Sequence, residues 1–386
     1  MSTFDLVIVA NSPGEISALV VPLVKKAARE FKEARLYVVI PPCQYSSGKE
    51  VEYLSSFKEI QAVISSDEYK KWLLSPRPPR DITFNEKGAV LFLGGDLAHA
   101  AIIAKKLKFK AYAYVLSHIG WERSYTLFFV PDSQCKDRFA KKLKAKEKLK
   151  IVGDLMVDSL TGSLPDKTSL LNTWKLDPER PIVGFMPGSR MWQVSHTMPI
   201  YNSIAQKIKE KMPGAQLILS VAPYLTLKQI EPLAGTHLYD VMAPLEVIST
   251  ADLAITIPGT NTAQLAIMGT PSVVVFPLDN PDVIPLEGLA HYLCAIPVLG
   301  FLLKRLAVFL AAKKPGYYSI PNIKARKEIY PEYRGKIDPS AVAGKMISLL
   351  KNREQRRSIA EQAKQAMGQD GAAGKIIEAV KNETVR

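Results

Sequence analysis

Short apolar runs alternate with polar, helix-compatible stretches along most of the chain. Residues 5–10 (DLVIVA), 36–40, 61–64, 89–93, 110–115, 127–130 and 150–152 read as buried strands. Between them the pattern predicts helices over 19–31, 51–57, 68–74, 99–107 and 132–142. Near-continuous apolar strands separated by helices imply a parallel sheet covered on both faces. The polar residues 161–180 read as a linker. A second series then begins with strand 181–186, the helix after it, strand 216–221 and helices over 226–233 and 243–250, with a short strand near Leu238. It is completed by residues 254–276, AITIPGTNTAQLAIMGTPSVVVF. That stretch reads as strand, Gly-Thr loop, helix, Gly-Thr-Pro turn and strand. Helices over 339–350, 354–367 and 371–380 close the chain.

The predicted fold class is therefore α/β, with two similar doubly wound domains and a cleft between them. Ligands of such sheets sit beyond the carboxyl ends of the strands. Four loops fall there: NSPGEIS (11–17), GGD (94–96), PGSR (187–190) and PGTNT (258–262). Where a strand feeds a helix through a Gly/Thr loop, free N–H groups and the positive end of the helix dipole meet an anion. Arg190 at a strand end can grip a diphosphate with two prongs. Ser189, Thr260 and Thr262 can donate to the same phosphates, or simply cap their helices. Asp96 and His99 lie three apart at a strand-to-helix turn, and a helical turn can bring them to one side. Either can serve as a base, with the other orienting it. Glu15 is a third candidate base or orienting group.

The bulk numbers narrow the partners. A formal net charge of +14 over 386 residues favours something anionic: nucleic acid, acidic lipid or a phosphorylated substrate. No aromatic-studded recognition motif accompanies the charge, which argues against nucleic acid. Cys43, Cys135 and Cys294 make no disulfide framework or metal pattern, and the five histidines show no ligand spacing. A reducing compartment follows. The first residues, MSTFDLVIVANSPGE, lack a basic start and read as a first strand instead of a signal peptide. Residues 283–314 break the α/β pattern with the apolar, basic run HYLCAIPVLGFLLKRLAVFLAAKK. Its uninterrupted part is too short to span a bilayer, so it reads as an interfacial segment. Leu299, Phe301, Leu302, Lys304 and Arg305 are its candidate contacts to a membrane or lipid acceptor.

The ordered motifs resemble lipid-A-disaccharide synthase. They are Gly14-Glu15-Ile16-Ser17, Gly94-Gly95-Asp96, Pro187 to Arg190, Gly259 to Thr262, and Ile320-Pro321-Asn322 followed by Arg326, Lys327 and Glu328. The resemblance implies a GT-B glycosyltransferase with two Rossmann-like domains. Residues 1–160 would be the acceptor side, 161–180 the linker and 181–350 the nucleotide-sugar domain with the 283–314 insertion. Residues 351–386 would be closing helices. It also implies inverting transfer of an acylated glucosamine-type sugar from a UDP-sugar to a lipid-linked acceptor, on the inner face of the cytoplasmic membrane. No metal or other cofactor is needed in that family. A homodimer is an arrangement the resemblance leaves open.

The resemblance places Gly188, Ser189, Arg190, Gly259, Thr260, Asn261, Thr262, Gln264, Asn322 and Glu328 at the donor, and Asp96, His99 and Glu15 at the chemistry. Departures sit at those same loops. The family's GEASGD is GEISAL here, so Ala18 and Leu19 replace Gly and Asp. His99 stands where the family has a second aspartate. Gln264 stands where the family has an acidic residue that can bind ribose. Two rival functions follow from the same residues: a UDP-sugar epimerase of this build, and a non-catalytic nucleotide- or glycolipid-binding paralogue.

Overall fold

Seven parallel strands make the first sheet: β1 (Phe4–Val9), β2 (Ala34–Val39), β3 (Ile60–Ile64), β4 (Gly88–Phe92), β5 (Lys110–Tyr114), β6 (Leu127–Val130) and β7 (Leu149–Ile151). Their spatial order is β3-β2-β1-β4-β5-β6-β7, so the direction of winding reverses between β1 and β4. This computed structural model describes residues 4–43, 48–161, 164–223, 225–235, 237–278 and 316–384. Strand β1 is buried along its whole length, Asp5 included. The Asp5 carboxylate is tolerated there because Arg35 grips it through Nε at 2.7 Å and Nη2 at 2.9 Å, and the Asn85 side chain donates at 3.1 Å.

The second sheet has six parallel strands: β8 (Ile182–Met186), β9 (Gln216–Ser220), β10 (Val241–Ala243), β11 (Leu253–Thr256), β12 (Ser272–Pro277) and β13 (Glu332–Gly335). Their order is β10-β9-β8-β11-β12-β13, with the reversal between β8 and β11. Strand β13 is not among the strands that the sequence pattern predicts. It is short, half-exposed and at an edge, so it carries little apolar signal.

The chain divides into two compact units, residues 1–163 with 368–386, and residues 164–367. Two features differ from expectation. The supposed linker contains a helix, Lys167–Thr173, whose Leu170 and Leu171 join Ile182, Met186 and Ile248 in the core of the second unit. Its polar residues mask those two leucines in the sequence. The closing helices also do not form one block. Helix Arg353–Met367 belongs to the second unit, and helix Ala372–Thr384 belongs to the first. There it packs on helix Val21–Glu30 with Ala372, Ala373, Ile376, Ile377 and Val380 buried. Asp158 caps its start, accepting from the N–H groups of Gly371 (2.7 Å), Ala372 (3.3 Å) and Ala373 (2.6 Å). Near its end Lys381 donates to the Glu30 carbonyl at 3.0 Å.

The apolar insertion, with Leu299, Phe301, Leu302, Lys304 and Arg305, lies outside the described residues. Among the described residues no helix is long and apolar enough to cross a membrane.

Candidate functional site

All four loops picked out in the sequence lie at the two points where strand order reverses. NSPGEIS follows β1 and GGD follows β4, and PGSR follows β8 and PGTNT follows β11. Strand ends on either side of a reversal send their helices to opposite faces, which leaves a crevice between the loops.

In the first unit the crevice is organised around Glu15. Ser12 caps a short turn of helix: its Oγ accepts from the Glu15 N–H and its own N–H donates to Glu15 Oε2, both at 3.3 Å. This reciprocal capping box turns the carboxyl back toward the strand ends. A π-helical segment, Ile16–Val20, follows at once. Such segments are rare and favour functional positions. Ala18 and Leu19, which replace the family's Gly and Asp, are buried there as core. The carboxyl itself rests on Gly94. A Cβ at that position would stand 2.1 Å from the carboxyl carbon, so only glycine leaves the seat open. Gly95 has φ +92°, and a Cβ there would meet the Asn11 amide at 2.7 Å. Burial pushes the Glu15 pKa up, partly offset by hydrogen bonds from Ser12 and from the Asn11 and Gly95 backbones.

Asp96 and His99 do not form a pair. Exposed Asp96 caps helix Leu97–Leu107, accepting from the Ala98 N–H at 2.8 Å. The side chain of His99 turns to Tyr69, with Nδ1 2.8 Å from the phenol oxygen. Burial lowers the His99 pKa, and the nearby Asp96 charge raises it by less. Tyr69 was not among the sequence candidates. It sits in helix Ser66–Leu74, read from sequence only as a helix over 68–74, 30 residues from its partner.

In the second unit polar side chains brace the loops. Gln193 Oε1 accepts from the N–H groups of Ser189 (3.0 Å) and Arg190 (3.2 Å). Gly188, at φ +123°, leaves no room for a Cβ beside Gln193 and lies against Ile257 of the neighbouring loop. The buried Thr262 hydroxyl donates to the Gly259 carbonyl at 2.7 Å and accepts from the Ile320 N–H at 3.0 Å, so it braces the loop. Asn322 is fully buried. Its Nδ2 donates to the Tyr330 carbonyl and to Glu332 Oε1, both at 2.8 Å, and its Oδ1 accepts from the Ile329 and Tyr330 N–H groups at 2.9 Å. Glu332, also missed in the sequence, further accepts from Ser319 Oγ at 2.7 Å. Glu328 is exposed.

The start of helix Thr260–Met268 is different. Gly259 is exposed at φ +123°, with no described residue within 4 Å of where its Cβ would be, and Thr260 and Asn261 supply the first N–H groups of the helix. Half-buried Arg190 lies on the adjacent loop, and half-buried Gln264 lies one turn into the helix. Among the described residues no cluster of His, Cys, Asp and Glu could hold a metal ion.

Residues 139–284 match the family model of lipid-A-disaccharide synthetase, a stretch that contains both loops of the second crevice. In sequence the chain is similar to lipid-A-disaccharide synthases. It is 33% identical to that of Geobacter metallireducens over 34% of this chain and 35% of the relative. To that of Coxiella burnetii it is 26% identical over 64% of this chain and 65% of the relative. The matches thus span from about a third to just under two thirds of the length of these curated synthases. The UDP-GlcNAc 2-epimerase of Neisseria meningitidis, solved with UDP-GlcNAc bound, is similar in fold with a TM-score of 0.59 at 12% identity. That likeness covers 98% of this chain and all of the epimerase. It shows that the chain has the two-domain α/β fold of the GT-B kind.

Proposed function

We propose that the protein transfers a glucosamine-type sugar from a UDP-sugar to a lipid-linked acceptor, with inversion at the anomeric carbon. The observation that carries this reading is the lipid-A-disaccharide synthetase match over residues 139–284, which spans PGSR and PGTNT. The UDP-GlcNAc bound to the structurally similar epimerase supports the same donor class. The diphosphate is assigned to the Thr260 and Asn261 N–H groups, the helix dipole behind them and the Arg190 guanidinium. Gln264 and Glu328 remain candidates for the ribose and sugar hydroxyls. Thr262 and Asn322 act through the loops they hold.

In the transfer the acceptor hydroxyl oxygen bonds to the anomeric carbon as the bond to UDP breaks. The hydroxyl proton passes to Glu15, whose raised pKa makes it a better base than an ordinary surface carboxylate. Asp96 caps the helix that carries His99. The acceptor carries its acyl chains to an anionic membrane surface, where the apolar and basic residues 283–314 would engage it. A homodimer is compatible with this arrangement.

Titration calorimetry of UDP, with GDP and ADP as controls, tests the donor assignment. Selective UDP binding, weakened about 10-fold or more by Arg190→Ala, is expected. Absence of UDP binding to folded protein would sink the reading. The fold likeness to an epimerase favours one alternative. Conversion of UDP-GlcNAc with no acceptor present would establish it, and disaccharide formation on a lipid acceptor would exclude it as the main activity. A protein that binds UDP and does neither is the non-catalytic paralogue.

A further inference from the structure

Tyr69 has no exposed surface, so its hydroxyl proton needs an acceptor inside the protein. Among the described residues that acceptor is His99 Nδ1, at 2.8 Å. The reverse arrangement, with Nδ1–H donating to the phenol oxygen, would strand the phenol proton in an apolar core, at a cost of about 1–3 kcal/mol. Geometry therefore selects the direction of the bond. Neutral imidazole carries one proton, and with Nδ1 accepting it must reside on Nε2. The scaffold under Tyr69 is stiff. Ser65 and Glu68 form a capping box at the start of its helix, and Glu68 also binds Arg80. His99 is half-buried and lies in the first turn of the helix that follows GGD, the loop after β4, and β4 pairs with β1, the strand that leads into the Glu15 loop.

We infer that Tyr69 holds His99 in the Nε2–H tautomer, so that position 99 offers a hydrogen-bond donor to a substrate oxygen and not a base. Tyr69 is thus a positioning residue that works through His99. The family's aspartate at this position can only accept when ionised, so the Tyr69–His99 couple reverses the polarity of the site. Withdrawal of the acceptor proton is left to Glu15, and His99 binds an oxygen of the acceptor's hydroxyl or phosphate. The tautomer stands on the geometry alone; the donor role rests on the glycosyl-transfer reading.

The test is two-bond proton–nitrogen correlation NMR on the full chain labelled with 15N-histidine, with His99 assigned by its loss in His99→Gln. A protonated Nε2 and a bare, hydrogen-bonded Nδ1 are expected across neutral pH. Tyr69→Phe should release a mixture of tautomers and let the His99 pKa rise. A protonated Nδ1 in the wild type would overturn the inference, even where Tyr69→Phe fails to fold. So would an unchanged tautomer in folded Tyr69→Phe. The donor role is read in transfer assays with UDP-2,3-diacylglucosamine and lipid X. His99→Gln, which keeps an N–H, should stay within about 10-fold of wild type, and His99→Ala should fall about 100-fold. Equal loss in both would restore His99 as the base. A wild type that transfers nothing refutes the donor role together with the proposed function, while the NMR spectrum still decides the tautomer by itself.

Discussion

The two strand-order reversals are alike in topology and opposite in how they use side chains. At the first, a carboxyl is brought into a glycine seat and kept there with its proton affinity raised. At the second, polar side chains are spent on backbone: Gln193 on two N–H groups, Thr262 on Gly259 and Ile320, Asn322 on the 329–332 segment. The first crevice holds a chemical group under tension with its surroundings, whereas the second is a braced frame that presents backbone at Thr260 and Asn261. A base must be free to change protonation, and a diphosphate cradle must not move. The same fold meets both demands with different groups, a buried carboxyl at one reversal and helix N–H groups at the other.

The largest expected effects fall on the first crevice. Gly94→Ala puts a methyl group where the Glu15 carboxyl rests. The displaced end is flexible, so the melting temperature should barely change while transfer falls about 100-fold or more. A comparable loss of stability would show the seat to be structural. Glu15→Gln should abolish transfer and, in the same sample, raise stability at neutral pH. The sign follows from the raised pKa: the wild-type carboxyl favours the folded state when protonated and opposes it as pH climbs through the folded pKa. The variant's advantage should therefore vanish as pH falls below the ordinary value of 4.5, which pH-dependent urea melts would reveal.

The second crevice should answer in stability first. Asn322→Ala leaves a buried carbonyl and two N–H groups without their partner, so it should cost about 3 kcal/mol or more by denaturant titration. UDP affinity of the fraction still folded should change little; a direct loss of affinity with intact stability would make Asn322 a ligand contact. The smallest effect is the most pointed. Gln193→Ala frees the Ser189 and Arg190 N–H groups. If the phosphates sit at Thr260 and Asn261, UDP affinity should stay within about 3-fold, a difference of roughly 0.6 kcal/mol. A marked gain would move the diphosphate to PGSR.

Much of this was open to sequence reading because it is local. Apolar runs such as DLVIVA and VVVF mark strands by composition, and Gly-rich turns mark their ends, so the four loops emerge without coordinates. What stayed hidden depends on distant residues. Gly94 and Glu15 are far apart in the chain, and neither shows in its own neighbourhood that it shapes the other. Tyr69 reads as one apolar face of a helix until β4 and the helix after it bring His99 to its hydroxyl. The pairing of Asp96 with His99 was plausible from spacing, but capping claimed the aspartate and Tyr69 claimed the imidazole. Glu332 lay in a basic stretch whose composition suggests solvent, and only the pairing of β13 with β12 turns its carboxyl toward Asn322.

The return of the last helix to the first unit has a consequence for synthesis. A ribosome releases the first 163 residues long before residues 368–386 exist, so the nascent first unit must wait with the apolar side of helix Val21–Glu30 uncovered. The second unit can fold meanwhile, because its residues are contiguous. Emergence of residues 368–384 from the ribosome is then the step that completes the first unit, when Asp158 receives the N–H groups of Gly371 to Ala373. A chain that stopped short of residue 368 would fail in the half of the protein that was made first.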